Sequence, residues 1–131
     1  MRILGFSQKW DKLEKPAFTT FRLSRRDRDW QVGEVVQVVY KPRAKKREVL
    51  GIAKVIKKEP RRARRASEGE YPVISNEEAK RDGFKDACDM WEWLLRTHGL
   101  RRLLLEPINK LTLGWTQRWL YMNKQRENEV T

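Results

Sequence analysis

Glu34-Val35-Val36-Gln37-Val38-Val39-Tyr40-Lys41, then Pro42, then a basic run at 43–47, then 49–58 with Leu50, Ile52, Val55 and Ile56 apolar: this stretch decides the fold class. β-Branched residues suit a pleated, half-buried surface, and the valine run is apolar enough for burial on both faces. Pro42 has no backbone N–H, so it ends the first strand. The link to the second run is far shorter than the dozen residues a parallel crossover needs. The sequence therefore predicts an antiparallel hairpin with a cationic tip.

Upstream, Ala17–Leu23 reads as another strand, carrying Phe18, Thr19, Thr20 and Phe21. Residues 5–15 read as a loop or short helical turn. Gly33 stands where a turn before a strand calls for positive φ. Downstream, 59–72 holds Pro60, Arg61, Arg62, Arg64, Arg65, Gly69 and Pro72 without apolar periodicity, which predicts a mobile loop. Ser75-Asn76-Glu77-Glu78 matches a capping box, and Gly83 suits the left-handed end of the short helix that follows. Residues 85–97 place Ala87, Met90, Trp91, Leu94 and Leu95 on one helical stripe, ending at Gly99. A short helix over 100–105 stops before Pro107, and 108–115 alternates as a closing strand. Trp119, Leu120 and Tyr121 pack as an appendage, and 123–131 reads as a disordered tail. Strands, then helices, then a strand make one α+β domain over 1–122.

Charge points to a partner class. Residues 41–65 hold twelve Lys and Arg against Glu48 and Glu59, so this segment carries +10 of the chain's net +12. Charge focused in this way favours a polyanion such as nucleic acid. The competing readings are an Arg- and Glu-rich thermostable surface and an anionic membrane. The membrane ranks last because the segment alternates like a strand and is no basic amphipathic helix. One cysteine, Cys88, and one histidine, His98, exclude an internal disulfide and a Cys- or His-rich metal site. No apolar run approaches the roughly 18 residues that span a bilayer, and the start turns polar too soon for a secretory signal. The expectation is a cytoplasmic protein without cofactor or metal, with RNA as its partner.

The order of motifs adds a resemblance. Phe18-Thr19-Thr20-Phe21-Arg22 resembles the Thr-x-Arg strand near the start of ASCH domains, members of the PUA-like superfamily. Trp30-Gln31-Val32-Gly33-Glu34-Val35-Val36-Gln37-Val38 is similar to that family's approach to a barrel strand. Gly51-Ile52-Ala53-Lys54-Val55 is similar to the next strand, and Glu78-Ala79-Lys80-Arg81-Asp82-Gly83-Phe84 to its helix ending in Gly-Phe. The resemblance spans about 15–115. It implies a small, mostly antiparallel PUA-like β-barrel with two or three packed helices and an RNA-binding cleft beside the first barrel strand. One branch of the family hydrolyses N4-acetylcytidine with Lys-x-x-Thr and a glutamate. Here Thr20 takes the threonine position, but Ala17 replaces the lysine and Lys15 lies two residues early.

The resulting site expectations fall into two sets. For nucleic-acid binding they are Arg22, the hairpin loop Lys41, Arg43, Lys45, Lys46 and Arg47, and the downstream Arg61, Arg62, Arg64 and Arg65. Each cation that neutralises a phosphate releases counterions and adds sequence-independent affinity. For the alternative, a hydrolase on RNA or modified nucleosides, they are Thr20 and Lys15. A nucleophilic threonine needs a base nearby, and the competing reading of Thr20 is an ordinary strand residue. Trp10, Phe18, Trp30 and Tyr40 lie nearest the cleft and are candidate stacking platforms, with core packing the favoured reading for each. Cys88 reads as a small buried filler, and His98 as a cation favoured at a helix C-terminus.

Overall fold

The computed structural model describes residues 1–118 apart from 9, 26, 62–63, 67–68 and 72–73; for 64–66 and 69–71 it describes the backbone. The chain is α+β. Its strands are β1 (Arg2–Phe6), β2 (Ala17–Leu23), β3 (Val35–Tyr40), β4 (Glu48–Arg61), β5 (Arg64–Ala66), β6 (Gly69–Tyr71) and β7 (Ile108–Arg118). Its helices are α1 (Asn76–Arg81), α2 (Ala87–His98) and α3 (Leu100–Leu105), with a 3-10 turn at Asp11–Glu14. A mixed, mostly antiparallel five-stranded sheet has the order β1-β3-β4-β7-β2, and β5 pairs with β6 in a separate two-stranded ribbon. The chain folds as two compact units, and β2, β4 and β7 each run from one into the other.

The first unit holds Met1–Phe18, Gln31–Ile56 and the described residues from Thr112 onward. The hairpin forms as its sequence predicts, β3 against β4 with Val36 opposite Ala53 and Val38 opposite Gly51. Between Val38 and Val39 the register shifts, so Val39 faces Val49. Val36, Val38 and Val39 are fully buried while Val35 is exposed, and the extra residue of the bulge, Leu50, lies on β4, where Leu50 and Gly51 are buried in succession. Full burial on both faces therefore holds for only part of the run. Leu4, Phe6, Leu13, Phe18, Leu50, Val55 and Leu113 complete the core. Gly51 has no room for a side chain, since a Cβ there would lie 2.1 Å from the Gln117 carbonyl oxygen.

β1 has no counterpart in the sequence expectations. It pairs in parallel with β3, Arg2 opposite Val36. The Arg2 guanidinium also clasps the Glu34 carboxylate, Nη2 to Oε2 at 2.7 Å and Nε to Oε2 at 3.0 Å. Both side chains are nearly buried, and a fork of this kind fixes strand position as well as compensating charge.

The second unit holds Thr19–Trp30 and Lys57–Leu111. Phe21, Leu23, Ile74, Ala79, Ala87, Met90, Leu94, Leu103 and Ile108 form its core, with Phe84, Trp91, Trp93 and Leu95 packed around them. The helical stripe thus faces inward as its periodicity predicts. Ser75 and Glu78 form the full capping box on α1. α2 starts at Ala87 because the Asp86 side chain accepts from the Asp89 N–H and caps it. Gly83 and Gly99 take the positive φ their positions call for.

Two local expectations are corrected, and Trp93 adds a contact off the stripe. Within 59–72 the described residues form strands: β4 continues to Arg61, and Arg64 pairs with Tyr71 and Ala66 with Gly69. Cys88 is exposed, not a buried filler, because it lies off the α2 stripe. Trp93, off the stripe, is half-buried against Phe84 at 5.7 Å. The expectations for Trp119, Leu120, Tyr121 and the tail lie outside the described residues. Among the described residues no helix is long and apolar enough to cross a membrane.

Candidate nucleic-acid interface

In the first unit, Pro42 and the turn that follows it close the hairpin, with the Ala44 N–H donating to the Lys41 carbonyl at 3.0 Å. Lys41, Arg43, Lys45, Lys46 and Arg47 are all exposed on this loop, and Lys54 is exposed on β4. No carboxylate forms an ion pair with any of the six among the described residues. Lys41 has φ +50°, a left-handed conformation that costs an ordinary residue about 1–2 kcal/mol. Its Nζ stands 5.3 Å from the Tyr40 ring centre. This strain is held by its surroundings, here by the Lys41 N–H bond to the Phe6 carbonyl.

The aromatic platforms divide. Phe18 is buried between Phe6 and Trp115, and Trp30 is buried in the second unit with its indole N–H on the Leu23 carbonyl. Both are core. Trp10 and Tyr40 keep accessible surface.

In the second unit, Arg61 is already engaged. Its guanidinium donates to Glu78 Oε1, Lys110 Nζ lies 2.7 Å from Glu78 Oε2, and the Ser75 N–H donates to Oε1. Burial alone would raise the Glu78 pKa, but Arg61, Lys110 and the Ser75 N–H outweigh it and hold the group at about 2. A second network joins Asp29 to Lys58 at 2.7 Å and to the buried Asn109 amide at 2.8 Å. Burial opposes ionisation of Asp29 too, and Lys58, the Trp30 N–H and Asn109 lower its pKa on balance. A cation tied to a carboxylate must give up that partner to meet a phosphate, so Arg61 is a poorer phosphate ligand than the hairpin loop. Arg62 lies outside the described residues, and for Arg64 and Arg65 only the backbone of β5 is described.

Thr20 is buried, and its hydroxyl accepts from Arg22 Nε at 3.1 Å, so the two lie on one face of β2. Among the described residues no carboxylate or imidazole hydrogen-bonds to that hydroxyl. A guanidinium cannot take up a proton, so this bond orients Thr20 without activating it. Lys15 is exposed and belongs to the first unit. Arg22 is half-buried; burial lowers its pKa to about 10, Asp82 opposes the shift and Arg25 adds to it. It remains a cation at neutral pH.

Sequence reading missed Glu78 as a charge hub, because its partners lie 17 and 32 positions away and its capping role already accounted for it. It also reversed His98. Burial lowers the pKa of this imidazole, Arg102 and Arg22 lower it further, and Glu106 opposes them. The cation expected at a helix end is therefore disfavoured. No group of three or more metal-ligating side chains gathers among the described residues. No protein-family model matches this chain, and no curated protein or solved structure matches it either.

Proposed function

We propose that this chain is an RNA-binding module of the ASCH, PUA-like kind, working in the cytoplasm, and that its sheet is the barrel of that superfamily. The observation that carries the proposal is the hairpin loop: five exposed cations, Lys41, Arg43, Lys45, Lys46 and Arg47, without an ion-pair partner among the described residues. By contrast Arg2, Lys57, Lys58, Arg61, Arg102 and Lys110 are each matched to a carboxylate. A loop that leaves its cations unneutralised supplies counterion-release affinity for a phosphate chain. Tyr40, half-buried at the base of the loop, adds a face on which an unpaired base can stack. The loop positions RNA and does not by itself specify its sequence.

The test is fluorescence anisotropy of a labelled single-stranded RNA at a series of salt concentrations. Five phosphate contacts give a slope of log affinity against log salt of about −3.5. Binding that does not respond to salt, or no binding, would overturn the proposal.

A further inference from the structure

We infer that single-stranded RNA runs from the hairpin loop along the outer face of β3, β4 and β7 as far as Lys54. The inference rests on the RNA-binding reading of the loop and gives that ligand a path. Every residue it uses belongs to the first unit.

Side-chain alternation defines the face. On β3, Val36 and Val38 point into the core, so Val35, Gln37 and Val39 point the other way. Across the ladder Val35 stands opposite Lys54 and Gln37 opposite Ile52, and Ile56 follows on the same side. On β7, burial of Leu111 and Leu113 turns Thr112, Gly114 and Thr116 outward. The packing agrees: a Cβ on Gly114 would lie 2.7 Å from Ile56 Cδ1, so the Ile56 side chain lies across β7.

The hairpin loop is bent over this same side. Gly5 is paired with Val39, and a Cβ on Gly5 would lie 2.5 Å from Pro42 Cγ, so Pro42 is seated on the outer side of β1. Val39, beside Gly5, is fully buried, whereas Val35 at the other end of β3 is 39% exposed. The loop and the open part of the face are therefore one continuous surface.

That surface suits an unpaired strand. Lys54 is exposed and has no ion-pair partner among the described residues, and no carboxylate stands among the outward residues named above. Val35 and the 55% exposed Ile56 leave apolar surface on either side of Lys54, on which the faces of unpaired bases can rest. A duplex keeps its base faces stacked inside and cannot use them. Val35 and Lys41 are separated by about 20 Å of strand, within reach of the roughly 4–16 nucleotides that single-strand-binding domains cover.

The experiment is amide NMR of the full-length protein titrated with a single-stranded RNA of about ten nucleotides, together with binding by two variants. The amides of Val35, Gln37, Ile52, Lys54 and Ile56 should shift together with those of the loop. K54Q should weaken binding about fivefold at about 0.1 M salt and make the salt slope shallower by about 0.7. I56S removes no charge and should weaken binding about fourfold, the worth of roughly one buried methylene, at an unchanged slope. R96Q should bind as wild type does. Shifts confined to the loop, or K54Q and I56S binding as tightly as wild type, overturn the path and leave RNA binding by the loop intact. Equal affinity for duplex and single strand overturns it as well. Shifts of Val35 and Ile56 that follow protein concentration without RNA assign the face to a second copy of the chain, with the same consequence. Absence of all RNA binding removes the loop reading and the path together.

Discussion

Glu78→Gln is the sharpest probe of the second unit. Glutamine at the third helical position still reaches back to the Ser75 N–H, so the capping box is kept while the charge between Arg61 and Lys110 is lost. A carboxyl group held at about 2 against an ordinary 4.5 corresponds at full value to about 3 kcal/mol. The three side chains keep 14–23% of their surface accessible, so solvent screens part of this and about 1–2 kcal/mol remains. Two half-buried cations left facing each other add about 1 kcal/mol more. The expected loss at pH 7 is therefore about 2–3 kcal/mol, a sizeable share of the 5–15 kcal/mol that typically holds a domain.

The pH dependence has a definite sign. Because folding lowers the Glu78 pKa, its contribution is complete above the ordinary value and disappears as pH falls from 4.5 towards 2. The glutamine variant has no such titration, so its stability deficit should shrink on acidification. Urea unfolding followed by tryptophan fluorescence at pH 7, 4 and 2.5 measures the deficit. A deficit below about 0.5 kcal/mol at pH 7, or one that stays constant to pH 2.5, would refute the reasoning.

Other substitutions test separate parts of the account. Lys41→Gly should be more stable than Lys41→Ala by about 1 kcal/mol in urea, since both remove the side chain and only glycine relieves the left-handed backbone; equal stabilities would contradict the strain. Gly51→Ala should lower stability by about 2–4 kcal/mol, because its Cβ meets the Gln117 carbonyl and the Trp115 ring with no space to yield; a thermal midpoint unchanged from wild type would show that the approach is looser. Asn109→Ala removes a fully buried amide that holds Asp29, and a loss of about 2 kcal/mol in chemical unfolding is expected; a loss within error would remove that network from the stability of the unit.

Local chemistry was the legible part of this sequence. The bounds of β2, the hairpin, the Ser75–Glu78 box and the glycine ends of α1 and α2 follow from residues within a few positions of one another. What sequence reading missed depends on distant partners. β1 is recognisable only through β3, more than 30 positions away, and the pairing of Arg2 with Glu34 gives no periodic signal. The arginine-rich stretch after β4 read as a loop because its strands are three residues long, too short to show alternation. The candidate interface was half legible: the sequence supplied the count of cations, but their value depends on which carboxylates fold against them. That distinction separates the hairpin loop from Arg61, and it requires three-dimensional structure.

The central claim is that unpaired cations at the tip of the β3–β4 hairpin hold a phosphate chain. It is tested most directly by changing Lys41, Arg43, Lys45, Lys46 and Arg47 together to glutamine and measuring affinity for single-stranded RNA across salt, with Arg96→Gln, an exposed cation of α2, as the control. Loss of binding, with a salt slope shallower by about 3.5 for the loop variant alone, is the expected result. Equal affinity and equal slope in wild type and loop variant would contradict the claim.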